Sequence, residues 1–396
     1  MLNPFISLST RFLTVPLFSA TTTTRPVCGC MRKMTAAASP PPLCPKFVSV
    51  EGADIVSRSN LEGVRFSLVS YNILAQVYVK SSYFPHSPSP SLKWKSRSKE
   101  VLTILKNVGA DFLCLQEVDE YESFYKQNME SHGYSSIYIQ RSGQKRDGCG
   151  IFYKHKRAEL LFEEIIEYND LVNSVQEESC SRGDEVIERD ANGDKSGEAK
   201  NGASSNSTSE DRGDPNDPRV RLKRDCVGIM AAFRLKNASR HVIIVANTHL
   251  YWDPEWADVK LAQAKYLKLR LSQFKILVSD KFECSPSVCL AGDFNSTPGD
   301  QVYQYLISGN SSVDDVHIPL CSAYGDTRGE PSFTNCTPDF TDTLDYIFFS
   351  PDHKIKAVSL LQLPEADSPD VLGGLPNFYH PSDHLPIGAE FEFSIE

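Results

Sequence analysis

Several apolar runs in this 396-residue sequence are bounded by a polar residue that could do chemistry. Val69-Ser70-Tyr71 ends at Asn72, Phe112–Gln116 at Glu117, and Val242–Asn247 at Thr248-His249. Val288–Gly292 ends at Asp293-Phe294-Asn295, Asp345 stands just before Tyr346–Phe349, and Ser382-Asp383-His384 precedes the last run. If these runs are strands whose ends meet at one rim, Glu117, Asp293, Asp345, Asp383, His249, His384, Asn72 and Asn295 converge. Each alone also suits a turn, where Asn and Asp satisfy backbone groups; their joint occurrence points to chemistry. Clustered carboxylates repel unless a cation sits between them. Carboxylate and amide oxygens with only two imidazoles suit a hard ion, Mg²⁺ or Mn²⁺, better than zinc. The other His and Asn are neutral donors suited to phosphate oxygens, and His384 beside an acid is a candidate proton carrier.

Positioning such residues requires many strand ends. Strands are predicted at Phe66–Ser70, Phe112–Leu115, Ser136–Ile139, Gly150–Tyr153, Val227–Leu235, Val242–Ala246, Val288–Ala291, Tyr346–Phe349, Val358–Leu363 and Ala389–Phe393. The segment Glu255–Ser279 places Val259, Ala262, Tyr266 and Leu269 at helical spacing, and Ser96–Asn107 and Tyr121–Ser131 also read as helices. Many strands with few helices predict an α/β fold of two packed β-sheets flanked by helices. There is no GxGxxG or P-loop motif to favour a nucleotide-binding parallel sheet.

Composition sets the rest aside. Hydrophobic residues are 40% and charged residues 23%, as in globular chains, and no apolar run is long enough for a membrane span. The net charge of −10 is local: residues 163–217 hold 16 acidic against 5 basic residues, leaving the remainder near neutral and compatible with a polyanionic ligand. From Glu188 to Pro218 nothing aromatic or larger than Ala among the aliphatics occurs, so an acidic disordered insertion is expected at about 171–218. Residues 1–50 contain no Asp or Glu and carry Arg11, Arg25, Arg32, Lys33 and Lys46 among Ser and Thr, a transit-like or disordered leader. The catalytic domain is then expected over 60–396. Eleven cysteines lack the spacing of a zinc site or a disulfide framework, which predicts a reducing compartment.

Seven strings in order make the sequence recognisable: Ser70-Tyr71-Asn72-Ile73-Leu74-Ala75, Leu115-Gln116-Glu117-Val118, Asp147-Gly148-Cys149-Gly150-Ile151-Phe152, Asn247-Thr248-His249-Leu250, Gly292-Asp293-Phe294-Asn295-Ser296, Leu344-Asp345-Tyr346-Ile347-Phe348 and Ser382-Asp383-His384-Leu385-Pro386. They resemble the exonuclease–endonuclease–phosphatase superfamily, the DNase I-like metal phosphodiesterases, whose fold is a four-layer sandwich. Tyr251-Trp252-Asp253-Pro254, Asp258–Gln263 and the stretch from Phe333-Thr334-Asn335 to Asp339-Phe340 resemble, within it, the carbon-catabolite-repressor class of poly(A) deadenylases.

The resemblance implies a Mg²⁺-dependent 3′-to-5′ exoribonuclease that shortens mRNA poly(A) tails and releases 5′-AMP, with two ions expected and Mn²⁺ able to substitute. By that likeness Glu117, Asn72, Asp293 and Asp383 hold metal, and Asp293, His384, Asp345, Asn295 and His249 serve catalysis. Pro254 and Phe340 sandwich the terminal adenine, and Asn335, His249 and Asn295 bind substrate. A 2′,5′-oligoadenylate phosphodiesterase or dinucleotide 2′-phosphatase would share every metal residue, and an inactive RNA-binding module is an alternative of another class. The expected partner is RNA with a 3′ poly(A) tail, and no membrane. Larger family members dock on the Not scaffold through leucine-rich repeats, which this sequence does not show, so Ccr-Not association stays an open expectation. Family likeness predicts cytoplasm and nucleus; the leader predicts mitochondrion or plastid for a product started at Met1.

Overall fold

The apolar runs become strands of two sheets, and their period-two alternation decides what each sheet faces. The computed structural model describes residues 40–50, 64–173, 214, 216–237, 241–308, 318–351 and 355–393. Most of the expected leader and the interior of the expected acidic insertion lie outside the described residues. The chain runs β1 (Phe47–Ser49), β2 (Arg65–Asn72), α1 (Trp94–Val108), β3 (Phe112–Gln116), α2 (Lys126–Glu130), β4 (Tyr134–Gln140), β5 (Gly148–Lys154) and β6 (Ala158–Glu167). It continues through α3 (Pro218–Arg221), β7 (Val227–Leu235), β8 (Val242–His249), α4 (Ala257–Phe282), β9 (Ser287–Asp293) and α5 (Gln301–Ile307). Last come β10 (Cys321–Ser322), β11 (Asn335–Cys336), β12 (Thr341–Asp342), β13 (Asp345–Phe349), β14 (Ile355–Leu361) and β15 (Ile387–Phe393).

One sheet has the order β1-β14-β15-β2-β3-β5-β4 and the other β10-β13-β9-β8-β7-β6, while β11 and β12 form a separate ribbon. Only β2/β3 and β8/β9 pair in parallel among the described strands. Phe66 and Leu68 of β2 meet Ile243 and Val245 of β8 in an apolar layer between the sheets. The alternate residues face outward: Val69 and Tyr71 pack under Val101, Ile104 and Leu105 of α1, and Ile244 and Ala246 under Val259, Leu267, Leu271 and Phe274 of α4. The result is helix, sheet, sheet, helix, the layered architecture expected. Burying each such Leu, Ile or Phe contributes about 1.5–3 kcal/mol.

Several boundaries move. Phe47 packs beside α1 and Ser49 pairs with Ser359, so the first sheet claims residues that composition alone gave to the leader. Leu171 is buried against the α4 side, and Asp217 caps α3 by accepting the Arg219 N–H, so both ends of the expected insertion are ordered. The predicted strand Val358–Leu363 is Ile355–Leu361, and the predicted helix at Tyr121 opens with a π-helical turn, Tyr121–Tyr125, before α2. No described helix is long and apolar enough to cross a membrane.

Candidate active site

The two parallel pairs end in register, which is why the polar residues gather. Asn72 of β2 lies opposite Gln116 of β3, with Glu117 next along the chain, and His249 of β8 lies opposite Asp293 of β9. β13 runs antiparallel to β9 and starts at the same rim, placing Asp345 opposite Asp293. β15 pairs antiparallel with β2, so His384, just before it, arrives at that rim as well. Gly292 allows the close approach of β8 and β9, since a Cβ there would lie 2.1 Å from the Thr248 carbonyl oxygen.

Side chains then close the cluster. Asn72 Nδ2 donates to Glu117 Oε1 at 3.1 Å and to Asp293 Oδ2 at 3.0 Å, while its Oδ1 accepts the Leu74 N–H. Glu117 Oε2 accepts the Ala75 N–H at 2.9 Å and Asp293 Oδ1 the Asn295 N–H at 2.9 Å. His249 Nε2 and His384 Nε2 stand 3.5 and 3.7 Å from Asp293 Oδ2. His384 Nδ1 donates to Asp345 Oδ2 at 2.7 Å, and Thr334 Oγ1 donates to the same oxygen at 2.6 Å. That pair fixes the imidazole and points Nε2 at Asp293. Leu74, Glu117 and Asn295 have φ of 55°, 57° and 48°, left-handed backbone that costs non-glycine residues energy and clusters at functional sites.

Electrostatics separate the two histidines. Burial opposes the cation on His384, but Asp345, Asp293 and the hydrogen bond to Asp345 hold its pKa well above the ordinary imidazole value. Burial lowers His249, with Asp293 opposing. One imidazole is thus a cation at neutral pH and the other a neutral donor, the separation that assigns distinct proton roles. Burial pushes Glu117 up to about 7, helped by Asp147 and Asp383, and burial also raises Asp293, helped by Asp345. Asp345 Oδ1 is buried without a hydrogen-bond partner. Packed carboxylates with raised pKa and a spare oxygen are a donor set that fits a hard divalent cation. Asp293, Asp345 and His384 each offer a ligand atom within 4.8 Å of the others. His384 Nδ1 already donates to Asp345, however, which leaves the side of Asp293 facing Glu117 and Asn72 as the better ion-holding place.

The remaining expected residues fall as follows. Asp383 is half-buried beside Glu117 and His384, and its carbonyl accepts the Cys336 N–H. One amide hydrogen of Asn295 goes to the Leu250 carbonyl at 3.0 Å, and Lys260 Nζ holds the Asn295 carbonyl at 2.7 Å. Asn335 is buried and bridges His384 through the backbone. Phe340 is 42% exposed at the turn of the β11–β12 ribbon, and Pro254 is exposed at the start of the 3₁₀ turn leaving His249. These two stand on separate loops; no described contact joins them.

Four supporting residues were missed by sequence reasoning. Asn247 Nδ2 crosses between the sheets to the carbonyls of Leu115 and Gly150, both at 2.9 Å, and its Oδ1 accepts Gln116 Nε2 at 2.7 Å. Arg97, 1% exposed, donates to the carbonyls of Ile73, Leu74 and Pro381 and to Gln76 Oε1. It therefore fastens the loop after Asn72 to the loop before Asp383. Its signal was legible: Arg97 shares the helical stripe of Val101, Ile104 and Leu105. Asp147, fully buried, receives Tyr78 OH at 2.6 Å and faces Arg141 at 3.4 Å.

Comparison with known proteins agrees with this architecture. Residues 69–384 match the Endonuclease/Exonuclease/phosphatase family. The chain is 57% identical to carbon catabolite repressor protein 4 homolog 4 of Arabidopsis thaliana, over 92% of this chain and 94% of that protein. It is 28% identical to the CCR4-Not complex 3′-5′-exoribonuclease subunit Ccr4 of Schizosaccharomyces pombe, over 85% of this chain but only 50% of that protein. Among solved structures, ANGEL2, a 2′,3′-cyclic phosphatase, superposes with a TM-score of 0.63 at 26% identity, covering 84% of this chain and 96% of that one. The chain belongs to the Endonuclease/Exonuclease/phosphatase family and, within it, to the carbon catabolite repressor 4 homologues.

Proposed function

We propose that this protein is a Mg²⁺-dependent 3′-to-5′ exoribonuclease that removes adenosines from the 3′ end of RNA and releases 5′-AMP. The observation that carries this reading is the convergence on Asp293 of Asn72, His249 and His384, with Asp345 behind His384. Glu117, Asn72, Asp293 and Asp383 would hold the metal, which when bound supplies positive charge to the phosphate and lowers the pKa of water. The chain's own groups do the rest. Asp293 accepts the proton of the attacking water, and neutral His249 and the free amide hydrogen of Asn295 donate to the phosphoryl oxygens. Cationic His384, held by Asp345, donates through Nε2 to the phosphoryl group as the bond to the preceding nucleotide's 3′ oxygen breaks, and that oxygen takes its proton from water. Pro254 and Phe340 present exposed faces for the terminal base, and Asn335 lies in the same ribbon as Phe340. The likeness to Ccr4 subunits supports an RNA substrate. It does not extend to their assembly, because the chain spans about half the length of that yeast relative.

Incubating the protein with a 3′-adenylated RNA and Mg²⁺ should give a ladder of single-nucleotide steps and free 5′-AMP, and EDTA should stop it. Phe340→Ala should weaken substrate use by the stacking contribution of about 1–3 kcal/mol, and poly(A) should be consumed faster than poly(U). Equal rates on all homopolymers would leave a nuclease without adenine preference. A second reading, hydrolysis at a ribose 2′ position, rests on the likeness to ANGEL2 alone; 2′,5′-oligoadenylate and 2′,3′-cyclic ends, tried alongside, separate the two.

The raised carboxyls also make a thermal prediction. Glu117 titrates near 7 when folded against the ordinary 4.5, so the folded state binds the extra proton and loses stability as pH rises through that window. A cation among the carboxylates removes the penalty. Mg²⁺ should therefore raise the melting temperature more at pH 8 than at pH 5; an equal shift at both would place the ion elsewhere.

A further inference from the structure

We infer that RNA upstream of the 3′ end runs along a cationic track, from Trp252 to a cleft between residues 143–145 and 219–225. The inference rests on the RNA reading above and adds where the rest of the strand lies. In a chain of net charge −10, Arg219, Arg221, Lys223 and Arg224 crowd one short segment. Lys145 faces that segment across a cleft of about 660 Å³ that Gly143, Arg219, Lys223 and Asp225 also line.

These cations are not equivalent. Arg219 is paired with Asp217 and Arg221 with Asp258, at 2.7 and 2.6 Å. The guanidiniums of Arg221 and Arg224 both lie 4.0 Å from the Trp256 ring centre, and Arg224 also lies 5.3 Å from that of Tyr251. They build the wall. Lys145 and Lys223 have no carboxylate partner among the described residues, and Lys223 is exposed. They are the charges left for phosphates.

The cleft is joined to the site on two sides. Val227 pairs with His249, so the segment leading into β7 emerges at the catalytic rim. Arg141 donates to the carbonyls of Asp225 and Arg224 and reaches Asp147, whose charge raises Glu117. On the other flank Tyr251 stands 6.1 Å from Trp252, which is 64% exposed on the loop leaving His249. An aromatic face followed by unpaired cations is how single strands are held without sequence readout, bases stacking while the backbone follows the charge.

The test uses the full chain, a fluorescein-labelled ten-nucleotide oligo(A) and the dinucleotide ApA. Lys145→Glu/Lys223→Glu should weaken ten-mer binding in EDTA by about tenfold or more at low salt. It should also flatten the slope of log affinity against log salt by about 1.4, the release expected of two phosphates on a single strand. Trp252→Ala should weaken the ten-mer with little change of slope. In Mg²⁺, the ratio of kcat/KM for ten-mer to that for ApA should fall about tenfold in the double variant. Wild-type affinity and slope in a variant of wild-type melting temperature would overturn the track, as would equal losses on both substrates. If the wild type cleaves oligo(A) and the variants match it, the track alone fails. If the wild type neither binds nor cleaves oligo(A), the RNA reading fails with it.

Discussion

Replacing Asp293 by asparagine is expected to lower kcat on an adenylated RNA by about 10²–10⁴-fold, the range for a lost general base, while the melting temperature stays level or rises. The two halves of this expectation have one cause. Asp293 is 1% exposed, and burial together with Asp345 raises its pKa, so its negative charge costs the apo fold stability at neutral pH. Asparagine keeps the shape and can still accept the Asn295 N–H, but cannot take a proton from water. Its amide also meets the Asn72 amide that now bridges Asp293 and Glu117, so the pair must rearrange. Calorimetry and single-turnover kinetics on one preparation decide it. Turnover within tenfold of wild type would remove Asp293 from the proton-accepting role.

The second large effect is expected at Arg97, and it acts first on stability. Arg97→Met keeps the packing stem but leaves the carbonyls of Ile73, Leu74 and Pro381 without this donor. A buried acceptor left unpaired costs about 1–3 kcal/mol, so a loss of about 3 kcal/mol or more is expected in urea unfolding. Turnover should fall as well, because the segments carrying Asn72 and Asp383-His384 lose their common anchor. Arg97→Lys, able to reach part of the set, should recover some of both. A Met variant as stable as wild type would show that water or neighbouring groups satisfy these carbonyls.

Strand ends were legible because the apolar runs that stop at Asn72, Glu117, His249 and Asp293 are buried on both faces and end abruptly. Strand β6 was not legible. Its sequence Ala-Glu-Leu-Leu-Phe-Glu-Glu-Ile-Ile-Glu is rich in helix formers, and the register shift between Leu160 and Phe162 breaks the period of two. It is also an edge strand, exposed enough to carry glutamates. Asn247 and Gln116 looked like neighbours of His249 and Glu117 because their partners lie on the opposite sheet, a contact that spacing along the chain cannot express. Arg97 shows the converse. Its place on an apolar helical stripe was visible, but what a buried guanidinium would grasp depended on two loops distant in sequence.

The β6–β7 pairing has one more consequence. Glu167 and Val227 close that hairpin beside His249, so the ends of the connection 168–226 are held one strand spacing apart whatever lies between them. Closing such a loop becomes dearer only with the logarithm of its length, by about 0.6 kcal/mol per doubling. Length there is nearly neutral to folding. A folded guest with adjacent termini, grafted into it, would leave untouched the register that aligns His249 with Asp293.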